Sequence, residues 1–476
     1  MRHACLPLCA LLFCLACSAP TVVAPIAQPP ADAADFTPFA AEIQRIVTAA
    51  RADRAAFQKL TQLCDDIGNR LSGSEHLARA VAWAQAAMRA DGLENVRAEA
   101  VEVPNWLRGQ ESLELLTPRP LPLAMLGLGG SIATPQDGVT AQVVVVRDEQ
   151  ELKAQGERIR GKIVLFDNPM PPYTLEKGAQ YGETVRFRVH GAALAGKLGA
   201  VAVLVRSVTA RSLATPHTGS THYEEDAPRI PAASVSTEHA ALLARLVARG
   251  ENVTVRLRMQ ARLAGTAPSA NVLAELRGSE RPDEIVVIGG HLDSWDVGQG
   301  AHDDGAGCVM AMQALALLKQ LGMQPRRTIR VVLWTNEENG LAGAKAYARV
   351  HADELVKTVA ALEADSGAFR PEALTVEMAD AEQEAKAALQ LAALLKLLPQ
   401  MPLAIRHTGS GADVSAMKIG NVPLVGLVME SSTYFDFHHT AADTLDKVEP
   451  ALLAEGEALF AALAWTLAQW PGVLGK

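Results

Sequence analysis

Imidazole and carboxylate side chains recur after four apolar runs in the second half of this 476-residue chain. The first segment reads IVVIGGHLDSWDVGQGAHDDGAG, residues 285–307, and places several such side chains in a glycine-rich loop. The full set is His291, Asp293, Asp303, Glu337, Glu338, Asp365, His438 and His439. Two imidazoles and three carboxylates suit a pair of metal ions about 3.5–4 Å apart with one bridging carboxylate. Mixed imidazole and carboxylate ligation favours zinc over magnesium or calcium.

Each of these side chains also has a structural explanation when it is considered alone. A single His after a strand is more often a hydrogen-bonded structural residue, and paired Glu residues in a loop are usually solvated. Asp before Gly is common in turns and helix caps. Their joint occurrence after successive predicted strands favours the metal site. His291 must also donate its second ring N–H, and Asp293, two residues further on, is a suitable partner.

Apolar runs alternate with helical patterns from Ser269 onward, and this alternation predicts the elements that position the polar set. Helices are expected over 307–321, 343–350 and 450–469. Strands of this length between helices indicate an α/β fold, with a mostly parallel mixed sheet sandwiched by helices. Because ligands bind at the carboxyl ends of the strands in such sheets, the polar side chains are expected to meet at one edge.

The residues before this region predict helices and one strand. Apolar side chains recur at helical spacing, and a strand is expected over 96–103. Ser72 and Glu75 have capping-box spacing ahead of the second helix, and Gly92 is expected to end that helix.

The middle of the chain predicts a domain inserted into the sheet domain. Short β-branched runs separated by Pro and Gly fill residues 107–265 and indicate a mostly β segment. The flanking parts of the sheet domain are then 36–106 and 266–476. Within the insert, His217 and His222 stand in a polar segment and are expected to be solvated loop residues.

The N-terminal residues predict an exported protein. Residues 1–17 combine Arg2 and His3 with a short apolar run, which is typical of a signal peptide. They end in CLAC, which resembles a bacterial lipobox with Cys17 as the lipidated residue, and ordinary cleavage is an equal alternative. Residues 18–35 predict a Pro- and Ala-rich linker. The expected location is periplasmic, outer-membrane through a lipid anchor, or secreted.

Cysteine usage and charge exclude two classes of protein. Only Cys64 and Cys308 follow the leader, too few for a disulfide scaffold. A bridge between them is the less favoured alternative to two buried free thiols. The net charge is −9, and the sequence has no basic cluster, which argues against nucleic acid as a partner.

Several long motifs resemble peptidase family M28, the co-catalytic zinc peptidases, and within it the carboxypeptidase Q branch. They are DIGNRLSGSEHLARAVAWA, VPNWLRG, GKIVLFDN, RVHGAALAGKLGAVAVLV, GGHLDSWDVGQGAHDDGAG, WTNEENGLAGA, EADSG and FHHTAADT. The resemblance covers most of the chain after the linker. It implies the zinc exopeptidase fold, a protease-associated domain as the insert, and two Zn²⁺ ions per chain.

The resemblance also implies metal-binding roles. Asp303 would bridge the two metals, His291 and Asp365 would bind different metals, and Glu338 and His439 would complete the two ligand sets. The family also tends to have a strained peptide bond directly after its bridging Asp.

Other roles follow from the same resemblance. His439 is preferred to His438 because the family's ligand precedes a small hydroxyl residue, here Thr440. Glu337 would be the general base, and Asp293 would orient the first imidazole. Ser410, in HTGSGADVSAM, would contact the substrate, and a Gly-rich turn capped by this Ser is the alternative.

The expected activity is hydrolysis of dipeptides or short peptides with free termini, of the aminopeptidase or dipeptidase type. One alternative is a receptor-like relative that binds without catalysis. A second is a zinc acyltransferase of the glutaminyl cyclase type, which works with one functional metal and lacks the insert. The insert is further expected to shape the substrate pocket and to contribute to a homodimer, and a protein-binding role for it is compatible with peptidase activity.

Overall fold

The computed structural model describes residues 34–406 and 409–476. The predicted signal peptide, the lipobox with Cys17 and nearly all of the linker lie outside the described residues. Export, lipidation and the linker therefore stay predictions, and so do the domain boundaries and the homodimer.

Strands and helices alternate along most of the described chain. Strands β1 to β16 span Glu94–Leu107, Glu111–Thr117, Leu121–Leu123, Met125–Gly127, Val139–Val146, Ile163–Phe166, Ala202–Arg206, Ala232–Val235, Thr254–Met259, Arg262–Leu276, Arg281–His291, Arg327–Trp334, Thr358–Ala364, Pro371–Glu377, Ala404–Arg406 and Leu424–Met429. Helices α1 to α13 span Ala40–Ala52, Ala55–Thr61, Glu75–Ala90, Glu149–Gln155, Tyr181–Thr184, Arg186–Lys197, Thr237–Ala248, Ala306–Gln320, Ala342–Val350, Ala352–Leu355, Ala381–Leu395, Tyr434–Phe437 and Pro450–Gln469.

The first sheet has eight strands in the order β1-β10-β12-β11-β13-β16-β14-β15. Its four central strands, β12, β11, β13 and β16, are parallel to one another. Alternate side chains of β11 face opposite sides: Val286 and Ile288 join the core that includes α8 and α13, whereas Ile285 and Val287 join the core that includes α9. The prediction of a mixed, mostly parallel sheet covered on both faces is confirmed.

The predicted helices of the sheet domain are present within one residue of their expected bounds. Helix α13 is, among the described helices, the one long and apolar enough to cross a membrane. It is 83% buried inside the protein. An apolar helix in that position is a core helix, and its side chains pack on α1 and α8.

The start of α3 corrects one expectation. The N-cap is Ser74, whose Oγ accepts a hydrogen bond from the backbone N–H of Leu77 at 3.1 Å. Ser72, which the capping-box spacing favoured, is buried two residues earlier. The helix does end where Gly92 predicts, since Gly92 has a φ of +73° and its N–H donates to the Arg89 carbonyl.

The inserted segment forms the second sheet, with eight strands in the order β3-β2-β9-β5-β6-β7-β8-β4. Strands β5 to β8 are parallel, and the remaining pairs are antiparallel. Buried side chains such as Leu113, Val255 and Leu257 form a core of its own. The insert is therefore a separate layer of strands and helices, as the sequence predicted.

Two expectations about single residues are settled here. Cys64 and Cys308 are both buried and free, so the disulfide alternative is wrong. Burial raises the pKa of the Cys64 thiol to about 12. His217 is buried, and burial lowers the pKa of its imidazole to about 3. The expectation of a solvated His217 is therefore wrong, while His222 is exposed as predicted.

Candidate metal centre

The predicted polar set meets at the carboxyl edge of the four parallel strands. His291 is the last residue of β11, Glu337 and Glu338 follow β12, and Asp365 follows β13. His439 follows β16 after a loop that contains α12. Since neighbouring parallel strands end at the same edge, side chains separated by about 150 positions in sequence become neighbours in space.

Three side chains form the first ligand group. His291 Nε2 lies 3.3 Å from Asp303 Oδ1 and 3.5 Å from Asp365 Oδ1, and these atoms could hold one metal ion. The expectation that His291 and Asp365 bind different metals is therefore wrong. Strands β11 and β13 are direct neighbours in the sheet, and their ends place these two side chains side by side.

The second ligand group shares Asp303 with the first. His439 Nε2 lies 3.2 Å from Asp303 Oδ2 and 3.1 Å from Glu338 Oε2. One carboxylate oxygen of Asp303 thus faces each group. This is the arrangement that a carboxylate bridging two ions requires.

The neighbouring imidazoles of His438 and His439 differ in their surroundings. The rings stack at 3.6 Å, and His438 Nε2 is 3.7 Å from Asp303 Oδ2, so both rings are within reach of one ion. Burial lowers the pKa of His438 well below its usual value. Burial also opposes a charge on His439, but Glu338 and Asp303 outweigh it and raise its pKa to about 9. The stronger carboxylate field favours His439 as the ligand.

Several buried polar atoms of the centre are left without a partner. Among the described residues, no hydrogen bond satisfies His291 Nε2, Asp303 Oδ2 or Glu338 Oε1. A buried polar atom without a partner is unfavourable by about 1–3 kcal/mol. Cations at this position would satisfy all three atoms, so the residues present fit a pair of metal ions.

The tautomer of His291 also fits a metal. Its Nδ1 lies 2.9 Å from the carbonyl oxygen of Asp293, which can only accept, so Nδ1 carries the proton. Nε2, which faces Asp303 and Asp365, is then the nitrogen that would bind a metal. The contact uses the main chain of Asp293, and its carboxylate Oδ1 is 3.8 Å from the same ring nitrogen.

The Asp293 carboxylate instead supports the loop after β12. It accepts hydrogen bonds from the backbone N–H of Glu337 at 3.1 Å and of Glu338 at 3.4 Å. The Ser72 hydroxyl donates to the same carboxylate at 3.2 Å. Ser72 therefore belongs to the support of the centre and not to the cap of α3.

Two further residues hold the loop that carries Asp303, and the sequence pattern did not single them out. Asp443 accepts from the backbone N–H of His302 at 2.8 Å and of Asp303 at 3.1 Å. Arg70 is fully buried and donates to four main-chain carbonyls. These belong to Gly68, Leu292, Gln299 and Gly300.

The peptide bond between Asp303 and Asp304 is cis, at the position where the family resemblance placed a strained bond. His439 also has a φ of +62°, which is uncommon outside glycine. A positive φ at a non-glycine member of the site is typical of functional positions.

The centre opens into a cleft of about 440 Å³. The sheet domain contributes the carboxylates of Asp303, Glu337, Glu338 and Asp365. The insert contributes Tyr181 and Arg188, and a loop of the sheet domain adds Tyr434, Phe435 and both adjacent imidazoles. The expectation that the insert shapes the pocket is consistent with this lining, although no spacing in the insert pointed to Arg188.

Ser410 lies elsewhere. It is 2% exposed, its Oγ donates to Glu377 Oε2 at 3.1 Å, and it is not among the described residues that line the cleft. His407 and Thr408, which begin the same motif, lie outside the described residues. Contact between Ser410 and a substrate stays a prediction.

Comparisons with known proteins agree with this architecture. Residues 271–464 match the model of peptidase family M28, and residues 139–243 match the PA domain. Carboxypeptidase Q from Xenopus laevis is 39% identical over 90% of this chain and 88% of its own length. Carboxypeptidase Q from Bos taurus is 38% identical over 93% of this chain and 91% of its own length.

Solved structures share the fold. A peptidase M28 precursor from Shewanella amazonensis SB2B has a TM-score of 0.87 and 36% identity, over 92% of this chain and 99% of that chain. A zinc aminopeptidase from Bacillus subtilis, at 18% identity over 88% of this chain and 96% of that chain, has a TM-score of 0.65 and shares the fold.

Proposed function

Because this chain belongs to peptidase family M28, we propose that its centre holds two zinc ions and hydrolyses dipeptides or short peptides with free termini. A metallo-exopeptidase is the function that the family and the centre share. The observation that carries the finer proposal is the Asp303 carboxylate, which turns one oxygen toward each of two ligand groups.

The two ions would have separate terminal ligands. His291 and Asp365 would bind one ion, Glu338 and His439 the other, and Asp303 both. Zinc pairs of this kind lower the pKa of a water molecule and polarise a carbonyl group.

Glu337 is the proposed general base. Its half-buried side chain lines the cleft beside the carboxylates of the centre, while its backbone N–H is held by Asp293. Burial raises the pKa of the Glu337 carboxyl well above its usual value. A carboxyl group of raised pKa can take the proton of the attacking water and pass it to the amine that leaves. Glu337 lines the cleft while Glu338 Oε2 lies 3.1 Å from His439 Nε2, so one neighbour can serve the substrate and the other a metal.

Asp293 has a positioning role in the same proposal. It fixes the ring of His291 through its carbonyl group and the loop of Glu337 and Glu338 through its carboxylate. Together these contacts would fix the positions of Glu337, Glu338 and His291 relative to the substrate.

The first experiment compares the wild type with Glu337→Gln at matched zinc content. We expect two zinc ions in both proteins and a loss of kcat of about 10²–10⁴-fold in the variant, as for other general bases. Glu280→Gln is the matched control, because its side chain is 65% exposed at a distant ion pair with Arg326. The substrates are dipeptides that are free or blocked at either end.

The same experiment separates the two alternative functions. Two bound zinc ions with no cleavage of any peptide would favour a receptor-like binding protein. One tightly bound zinc ion per chain would favour the acyltransferase type. Cleavage of free dipeptides by a protein with two zinc ions supports the peptidase.

A further inference from the structure

One segment of the insert, residues 217–220, lies against the second ligand group of the metal centre. Its sequence is HTGS, and it belongs to the loop between β7 and β8. His217 and Thr218 are buried, and Ser220 is half-buried. The hydrogen bonds of this segment show what it holds in place.

The segment contacts the main chain of both terminal ligands of the second group. The backbone N–H of Thr218 donates to the carbonyl oxygen of His439 at 2.9 Å. The hydroxyl group of Ser220 donates to the carbonyl oxygen of Glu338. Glu338 and His439 follow different strands of the first sheet, so segment 217–220 connects the two loops that carry them.

The contacts of Thr218 also suit His439 as a metal ligand. His439 has a φ of +62°, and a residue other than glycine keeps such a backbone only where the surrounding contacts fix it. The carbonyl oxygen of Thr218 lies 3.3 Å from Nδ1 of the His439 ring. A metal on Nε2 requires the ring proton on Nδ1, where this carbonyl can accept it.

Segment 217–220 is itself fixed within the insert. The hydroxyl group of Thr218 donates to the carbonyl oxygen of Gly127 at 2.7 Å. The backbone N–H of Gly129 donates to the carbonyl oxygen of Gly219 at 3.0 Å. The position of the segment, and with it the support of Glu338 and His439, therefore depends on the core of the insert.

The first ligand group is supported differently. The hydrogen bonds of His291 lie within the sheet domain: Nδ1 contacts the carbonyl oxygen of Asp293, and the backbone N–H donates to Asp304 at 3.1 Å. The thiol of Cys308 donates to the His291 carbonyl at 3.0 Å. The two ligand groups share Asp303, but only the second one is connected to segment 217–220 by these bonds.

We propose that Thr218 and Ser220 are positioning residues for the second metal ion, so that the insert sets the affinity of this ion alone. The inference rests on the proposed function, because it assigns different supports to two metal ions. Groups that hold metal ligands in place contribute about 10- to 100-fold to metal affinity. The insert thus acts on the metal centre itself, in addition to lining the cleft.

The first test is the zinc affinity of Ser220→Ala, measured by competition with a chelator. The substitution removes the donor to the Glu338 carbonyl, and we expect one zinc ion to bind about tenfold more weakly and the other to be unchanged. Thr218→Val loses the bond to Gly127 and should weaken the same ion. Ser131→Ala is the matched control, because it removes a buried hydroxyl that accepts from Ala232 inside the insert. It should keep both affinities.

Ligand variants show which ion is affected. Glu338→Gln removes a ligand of the second ion, so adding Ser220→Ala to it should leave the affinity of the remaining zinc ion unchanged. Asp365→Asn removes a ligand of the first ion, so adding Ser220→Ala to it should weaken the remaining ion about tenfold. A general loss of stability would weaken the remaining ion in both backgrounds, so this pattern separates a positioning role from a merely structural one.

The outcomes distinguish this inference from the proposed function, because the measurement uses no peptide. Unchanged zinc binding in Ser220→Ala, or equal weakening of both ions, would overturn the inference and leave the peptidase intact. A single zinc ion in the wild type would instead contradict the two-ion proposal. The inference would then still be supported if Glu338→Gln removed that ion and Ser220→Ala weakened it, and it would be overturned if Ser220→Ala had no effect.

Discussion

The two walls of the cleft are built in different ways. The sheet wall consists of side chains that strand ends place at one edge, and hydrogen bonds within the sheet domain hold the backbone of four of them, His291, Asp303, Glu337 and Glu338. Its members are His291, Asp303, Glu337, Glu338, Asp365 and His439. The insert wall, Tyr181 and Arg188, reaches the centre from a separate sheet through side-chain contacts.

This difference assigns different tasks to the two walls. Arg70 and Asp443 hold the backbone of the metal loop through main-chain hydrogen bonds, so the sheet wall is pre-organised for chemistry. Arg188 Nε is buried without a hydrogen-bond partner in the described part of the chain, so the insert wall is not held by a comparable network. Variants of the sheet wall should affect metal content and stability, and variants of the insert wall should affect stability less.

Removal of the bridging carboxylate should have the largest effect. Asp303→Ala takes one ligand from each group, and we expect fewer than two zinc ions per chain. Activity should fall on the order of 10⁴-fold, since metals supply several kcal/mol of transition-state stabilisation. Elemental analysis and dipeptide hydrolysis measure both effects. Asp283→Ala, at a side chain that is 77% exposed, is the control. Two zinc ions retained in Asp303→Ala would show that this carboxylate does not bridge.

Arg70→Met should have the next largest effect. The substitution leaves four main-chain carbonyls without their donor, two of them in the buried residues Leu292 and Gly300, and we expect the free energy of unfolding to fall by about 3–4 kcal/mol. Urea denaturation measures it, with Arg79→Met in the exposed face of α3 as control.

The insert wall offers the contrast to Arg70. Arg188→Met should change the free energy of unfolding by less than about 1 kcal/mol, because replacing a buried charge that lacks a counter-ion with an apolar side chain is often neutral. If Arg188→Met were as destabilising as Arg70→Met, the guanidinium would be a structural clamp, and the division between the walls would not hold.

The sequence was informative where backbone topology decides position. In a sheet of parallel strands, polar residues after apolar runs end at one edge, so the members of the sheet wall could be named in advance. Which of them share an ion could not be predicted, because that depends on which strands are neighbours in the sheet. Strand β11 lies beside β13, and this order, invisible in the sequence, places His291 with Asp365.

The insert wall had no comparable signal. Arg188 stands in a helix of the insert, 251 positions before His439, and no periodicity or spacing connects the two. His217 was mistaken for a solvated residue for the same reason, since it is buried beside Thr218, whose backbone N–H donates to the His439 carbonyl of the sheet domain. Contacts between domains depend on their docking, which local patterns do not encode.

The smallest effect concerns Ser72 and Ser74, which resemble each other in sequence and differ in role. Ser74→Ala removes the N-cap of α3 and should lower the free energy of unfolding by about 1 kcal/mol with unchanged zinc affinity. Ser72 donates to the Asp293 carboxylate and accepts from Asn336 at 3.1 Å, so Ser72→Ala should weaken zinc binding. We expect a loss of about tenfold, the low end for residues that support metal ligands.

Competition with a zinc chelator, combined with urea denaturation, separates the two variants. Each serine serves as the matched control of the other, because both substitutions remove one hydroxyl from the same segment. If Ser74→Ala weakened zinc binding, or if Ser72→Ala left zinc binding unchanged, support of the sheet wall would not extend to the start of α3. The expected result would instead show that Ser72 supports the metal ligands through Asp293, although the two residues are 221 positions apart in sequence.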